Sequence, residues 1–368
     1  MSMRAHWELH IFKLIAGILL LCSTCVSRAG ETADARDRTW SQRSTLATRG
    51  LQSWYNQGSG LYDTTGWWNS ANAITTLADY SRITGSREYL SVFSNTFSAA
   101  QKTSPNFLNN FYDDEGWWAL AWIEVYDLTH RPQYLMMAES IFTDMSGGWD
   151  NTCSGGIWWS KDRKYKNAIA NELFLSVAAH LGLRVKDAEA RRKYLSWAER
   201  EWQWFSHSGM IDTDHLVNDG LDESCTNNHK TKWTYNQGVI LGGLKALSEA
   251  NHDPLLMDVA DRIAQATISS RSLTDGHMIL HEPCEPNCGS DASQFKGIFV
   301  RNLMELNDLH SSPVAKNFVF TNAESIWREV KGPKYQLPLD WAHAGGLPDA
   351  SIQSSALDVL VAAAEMLK

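Results

Sequence analysis

The chain has 368 residues, a net charge of −9 and 17 tryptophans. Charges of both signs are interspersed and no Lys/Arg-rich run occurs, which argues against nucleic acid as a partner. The one N-terminal apolar run is too short to span a bilayer, so stable membrane insertion is not expected.

Residues 1–13 end in basic Lys13, and Leu14 to Val26 form that short apolar run. Ser27-Arg28-Ala29 then supplies small residues at cleavage-site spacing. This reads as a signal peptide over 1–29, with residues 30–368 secreted to the extracellular space or cell wall. A retained membrane anchor is the alternative. No hydrophobic tail follows the last expected helix, so a C-terminal lipid-anchor signal is not visible.

Beyond residue 30 the chain repeats itself. Six times a turn rich in Gly, Trp and polar residues leads into an apolar helix, near Trp68, Trp117, Asn167, Tyr235, Phe295 and Ile352. Apolar residues nearly surround these helices, as burial on both sides requires. Between them, more polar amphipathic helices are expected at about 38–56, 87–101, 132–145, 187–206, 254–270 and 313–330. Pro132, Pro254 and Pro313 stand at first helical positions, and Asp253 and Ser312 are good caps before two of them. Gly85 and Gly147-Gly148 mark helix ends. Extended residues such as Gly276 to His281 suggest small hairpins in the loops. Six buried and six amphipathic helices in alternation imply an all-α fold of two concentric rings, an (α/α)6 toroid, as a single domain. A superhelical solenoid of the same hairpins is the alternative.

A toroid gathers the loops before its inner helices at one end. That end would collect the tryptophan pairs Trp67-Trp68, Trp117-Trp118 and Trp158-Trp159, together with the segment Tyr112-Asp113-Asp114-Glu115-Gly116-Trp117-Trp118. Paired carboxylates carry out glycoside hydrolysis, one as acid and the other as nucleophile or base. Exposed aromatic faces stack on apolar surfaces, and sugar rings have such faces. The helix N-terminus favours an anion, while mutual repulsion raises the proton affinity of one carboxylate. Two identical side chains can thereby take different roles. Asp113 and Asp114 are the candidate catalytic residues. A cap-and-core role for the same segment is the plainer alternative.

Candidate substrate-binding residues are Trp68, Trp117 and Trp158 for stacking, with Asn72, Asn167, Asn171, Asp219, Tyr235, Asn236, Gln237 and Lys296 at the starts of inner helices. Amides donate to and accept from hydroxyls, although each could equally cap a helix or brace a loop. Glu115 and Glu124 lie close enough in sequence to compete for the catalytic assignment. No GxGxxG after a strand, Walker loop or HExxH occurs, and no cofactor or metal is expected.

Removal of the signal peptide leaves Cys153, Cys225, Cys284 and Cys288. An even number in a secreted chain implies two disulfides. Of three connectivities, Cys153–Cys225 with Cys284–Cys288 is favoured. Zinc held by His277, His281, Cys284 and Cys288 is the alternative. No Asn-x-Ser/Thr sequon is present.

Several segments together carry a resemblance. Tyr112 to Trp122, Gly155-Gly156-Ile157-Trp158-Trp159, Lys166 to Phe174, Trp233 to Gly238 and Phe295-Lys296-Gly297 occur in an order similar to glycoside hydrolase family 76, the endo-α-1,6-mannanases. The likeness runs from about residue 38 to the end. It implies an (α/α)6 fold, α-1,6-linked mannan or another mannose-containing glycan as partner, and a retaining mechanism. It also implies Asp113 as nucleophile and Asp114 as general acid/base, an order that the residues alone leave open. A cell-wall transglycosidase and a non-catalytic mannan-binding protein remain competing readings. A monomer is expected.

Overall fold

A computed structural model describes residues 39–343 and 345–368. The expected signal peptide lies outside the described residues. Within them, six apolar helices form an inner ring: α2 (Trp67–Thr84), α4 (Tyr112–Thr129), α6 (Ala168–Arg184), α8 (Thr234–Asn251), α10 (Phe295–Leu309) and α12 (Ala350–Glu365). Six more alternate with them: α1 (39–52), α3 (Leu90–Ala99), α5 (Pro132–Ser146), α7 (Ala188–His207), α9 (Pro254–Ser269) and α11 (Pro313–Arg328).

The ring closes. Each inner helix packs on the next, from α2 through α4, α6, α8 and α10 to α12, and α12 returns to α2. That last contact decides for the (α/α)6 toroid over a solenoid. Composition explains the layering. In α6, every residue from Ala168 to Gly182 is buried, as a helix covered on both sides requires. In α7 only Tyr194, Ala198, Glu201, Trp204 and Phe205 are buried, one stripe at helical spacing. Inner helices approach closely where side chains are missing. A Cβ at Gly297 in α10 would strike the backbone of Ser355 in α12.

Helix ends follow local chemistry. Asp253, Ser312 and Asp349 each accept a hydrogen bond from a backbone N–H of the first turn, satisfying donors that the helix cannot. Gly85 closes α2 at φ 71°, a left-handed conformation that glycine adopts without a Cβ clash.

Some local expectations change. The first outer helix stops at residue 52. Tyr55–Asn56 (β1) instead pairs antiparallel with Leu61–Tyr62 (β2). The outer helix expected from residue 87 starts at Leu90. The hairpin at 276–281 reduces to one bridge between Thr274 and Leu280. Cys153 is bonded to Cys225 and Cys284 to Cys288, so neither Cys284 nor Cys288 offers a free thiolate to zinc.

Candidate active site

The loops that precede the inner helices meet around a cavity of about 430 Å³. Its walls come from α2 (Trp68), α4 and its leading residue (Phe111, Asp113, Asp114, Trp117), α8 (Tyr235) and α10 (Phe295). The intervening loops add Trp159, Tyr165, Asn167, Asp219 and Asp291. Among the described residues four carboxylates line it, and no Lys, Arg or His does.

The floor is aromatic. Trp68 stacks on Trp117 with ring centroids 5.7 Å apart. Trp117 stacks on Tyr235 at 6.5 Å and Tyr235 on Phe295 at 3.8 Å. Offset stacks of this kind hold flat faces in fixed positions.

Asp113 and Asp114 occupy the first turn of α4, where aligned N–H groups favour negative charge. Asp113 Oδ2 accepts a hydrogen bond from Trp159 Nε1 at 2.9 Å, and its Oδ1 has no partner. Asp114 Oδ2 accepts from Asn109 Nδ2 at 2.5 Å. Burial dominates both groups. It pushes Asp113 up to about 8, helped by the adjacent Asp114 charge and opposed by the Trp159 N–H. Burial lifts Asp114 to about 6, opposed by Asn109 and helped by Asp291. Between those values the pair holds one proton and one negative charge.

Asp219 lines the same cavity. Its Oδ2 accepts from the Tyr165 hydroxyl at 2.5 Å, and that hydroxyl accepts from Asn228 Nδ2 at 2.8 Å. Asp291 Oδ1 accepts from Trp68 Nε1 at 3.1 Å.

Thus Asp113, Asp114, Trp68, Trp117, Asn167, Asp219 and Tyr235 come together as the sequence pattern suggests. Six other candidates do not line the cavity, and the side chains of five of them bond within the scaffold. Asn72 is buried and accepts from Arg301. Asn171 and Gln237 each hold a loop backbone, at Ile157 and Val217. Asn236 is fully buried. Trp158 donates to Asp150, and its ring lies under the Lys166 ammonium. Lys296 is buried against Glu285, the Leu339 carbonyl and the Trp341 ring. Of the competing acids, Glu115 is buried against Lys161. Glu124 lies deeper along α4, where burial and the charges of Asp79 and Glu305 raise it to about 8.

Sequence reasoning missed Asn109, Trp159, Tyr165, Asn228 and Asp291. All lie in loops, where no helical period assigns a direction to a side chain. The Trp158-Trp159 pair was a usable signal, but the member facing the cleft is Trp159. A larger hollow of about 910 Å³ lies against α7 beside the Cys153–Cys225 bond. No carboxylate lines it, so it lacks the groups that the chemistry needs.

The family model described as Glycosyl hydrolase family 76 matches residues 39–367. The chain belongs to this family. Among family relatives, it is 28% identical over 295 residues to the mannan endo-1,6-alpha-mannosidase DCW1 of Eremothecium gossypii. That match covers 71% of this chain and 64% of the relative, so the chain spans less than two thirds of that protein's length. The fold is similar to the family 76 alpha-1,6-mannanase of Salegentibacter sp., with TM-score 0.81 and 24% identity, covering 89% of this chain and 100% of that one. It is also similar to an inactive variant of that enzyme with two aspartates changed to asparagine, in complex with alpha-1,6-mannotriose. There the TM-score is 0.80 at 23% identity, covering 89% and 100% of the two chains.

Proposed function

We propose that residues 30–368 form a secreted, monomeric catalytic domain that hydrolyses α-1,6-mannosidic linkages within mannan chains, with retention of configuration. One observation carries this reading. Asp113 and Asp114, adjacent in the first turn of α4 and each held by a neutral donor, line an aromatic cavity with no cationic side chain among the described residues. Such a cavity suits a neutral polyol and offers nothing to balance a phosphate or a uronate. Family membership and the mannosidase relatives support the linkage. The mannotriose complex of an aspartate-substituted enzyme of the same fold is consistent with it.

The proposed reaction has two displacements. The Asp113 carboxylate attacks C1 of the bound mannose, and the C1–O bond to the departing sugar breaks. Asp114 gives its proton to that leaving oxygen. Asp114, now a carboxylate, then takes a proton from water, and the hydroxide oxygen attacks C1 and releases Asp113. Two inversions give net retention. The first displacement needs the shared proton on Asp114. A glycosidic oxygen accepting from Asp114 would draw it there, because hydrogen bonding to the protonated form favours that form. Trp68, Trp117 and Tyr235 would stack on sugar faces, and Asn167, Asp219 and Asp291 would bind hydroxyls.

The test is incubation with unbranched α-1,6-mannan and with α-1,2- and α-1,3-linked oligomannosides, following reducing ends and anomers by NMR. Cleavage of the 1,6 linkage alone, with α-product first, supports the reading. First appearance of β-product would overturn retention. Transfer to an added sugar acceptor without hydrolysis would indicate a transglycosidase, and binding without any cleavage a mannan-binding protein. Trapping the glycosyl-enzyme and mapping it by mass spectrometry orders the pair. Sugar on Asp114 would exchange the two roles.

A further inference from the structure

Lys161 lies outside the cavity, on the loop that carries Trp159. Its ammonium meets Glu115 Oε1 at 2.8 Å and Asp144 Oδ2 of α5 at 2.8 Å. Glu115 directly follows the carboxylate pair in α4 and is fully buried. The same Glu115 oxygen accepts from the backbone N–H of Asn109 at 3.3 Å. The backbone N–H of Lys161 in turn donates to the Asn110 carbonyl at 2.9 Å. Lys161 therefore ties the loop before α4 to the loop before α6 through Glu115, whose carboxyl is pushed up by burial to about 8 against the pull of the Lys161 ammonium.

Each of those loops supplies the hydrogen bond that one carboxylate accepts. Asn109 donates to Asp114 and Trp159 donates to Asp113. The loops are stitched together beside the pair, where the Tyr112 N–H donates to the Trp159 carbonyl at 2.9 Å. Stability alone gives little reason for a charge at Glu115. Glu115 is fully buried while about a third of the Lys161 side chain is exposed, and taking a carboxylate out of water costs several kcal/mol where packed apolar groups often serve as well. What an apolar pair would lose is direction: a charged acceptor that takes both a backbone N–H and an ammonium fixes two loops relative to α4.

We propose that Lys161, acting through Glu115, is a positioning residue that holds both donor loops in register with the Asp113–Asp114 pair. It thereby fixes where Asn109 and Trp159 donate to the two carboxylates. This rests on the reading of that pair as the reactive groups. The other titratable and charged groups around the arrangement are Asp144 on α5, Tyr112, whose ring lies under the Lys161 ammonium, and Arg163 on the same loop as Lys161, with Asp219 and Asp291 on the cavity wall. Loss of the Lys161 ammonium removes no direct hydrogen-bond partner of either carboxylate. The lost charge alone would raise both through space, whereas loss of the Glu115 charge alone would lower them. An upward shift in Glu115→Gln is therefore the reading that reports on the Asn109 and Trp159 donors.

The deciding measurement is a ¹³C NMR titration of the aspartate carboxyl carbons in the unliganded full-length protein, with Asp113→Asn and Asp114→Asn for assignment. In Lys161→Met both steps of the pair should move up by about one unit, since each carboxylate loses a well-aligned donor. Lys161→Arg should restore the wild-type values. Glu115→Gln, which keeps the shape but removes the ion pair, should behave as Lys161→Met does. On α-1,6-mannan, kcat should fall about tenfold or more in Lys161→Met with KM within about twofold. A Lys161→Met or Glu115→Gln protein that titrates the pair as wild type does would overturn the proposal. If wild-type protein leaves mannan uncleaved but the titration shifts, the mannanase reading fails and the positioning role stands.

Discussion

The carboxylate pair in the cleft and the acids paired with arginine farther along the inner helices are balanced in opposite ways. At the cleft end Asp113 and Asp114 receive hydrogen bonds only from neutral groups, an indole and an amide. Toward the far ends of the same helices, carboxylates meet cations. Asp358 pairs with Arg301 at 3.1 Å, Asp79 with Arg82 at 3.1 Å, and Asp127 takes a fork of hydrogen bonds from Arg184. Burial raises the proton affinity of carboxylates at both ends. The difference lies in what balances the charge. A guanidinium neutralises a carboxylate and locks it, whereas a neutral donor leaves it able to gain or lose a proton. One end is therefore reactive and the other structural.

That contrast breaks most visibly through activity. Asp113→Ala and Asp114→Ala should each lower kcat on α-1,6-mannan by at least about 10³-fold, read from the release of reducing ends. Thermal unfolding of the same variants should show an unchanged fold. Asp113→Asn should even raise Tm slightly, because a buried carboxylate without a cation is replaced by a neutral amide.

At the other end the balance reverses. Asp358→Ala leaves the Arg301 guanidinium buried without its carboxylate, which costs about 3–5 kcal/mol. Calorimetry should record a Tm lower by about 10 °C, while kcat of the remaining folded protein stays within about twofold.

The dependence on pH sharpens the comparison further. For the cleft pair, kcat/KM should be greatest between about 6 and 8, where one proton is shared. It should fall below that window as both carboxylates are protonated and above it as both ionise. Stability should follow a different curve. Glu124 is raised to about 8 and Glu305 to about 7, in both cases by burial first and then by Asp79. Their folded values exceed the unfolded ones, so their contribution is full below pH about 4.5 and is lost as pH rises through 7 to 8. Tm should decline over that range, and Glu124→Gln should flatten the decline without moving the activity optimum.

The smallest effect concerns substrate stacking. Trp68→Ala removes one face of the aromatic floor, worth about 0.5–1.5 kcal/mol. KM for mannan oligosaccharides should rise about twofold to tenfold, with kcat nearly constant.

Much of this was legible in the chain. The helix bodies followed from the contrast between all-round apolar segments and one-sided stripes, and Pro254 and Pro313 marked their starts. The carboxylate pair was legible because two adjacent acids beside two indoles suit few structural purposes. The amide candidates were harder to place. Asn72, Asn171 and Gln237 sit at the expected helix starts, yet their side chains bond to the scaffold. An amide suits a sugar hydroxyl and a backbone carbonyl equally well, and only its surroundings choose between them. Lys296 went the same way, since a lysine beside the cleft in sequence is drawn to whichever carboxylate lies nearest in space.

The chain by itself determined the alternation of twelve helices, the two disulfide-forming cysteine pairs as the favoured connectivity, and the position of Asp113 and Asp114 at a helix start. These depend on local periodicity, short spacing and the chemistry of neighbouring residues. The tertiary structure alone decided that α12 closes on α2, that Trp159 rather than Trp158 meets Asp113, and that Asn109, Tyr165 and Asp291 join the site. Those outcomes depend on loops from distant parts of the chain meeting at one end of the ring. Side-chain direction in a loop has no period to reveal it, so it is settled only when the loops pack.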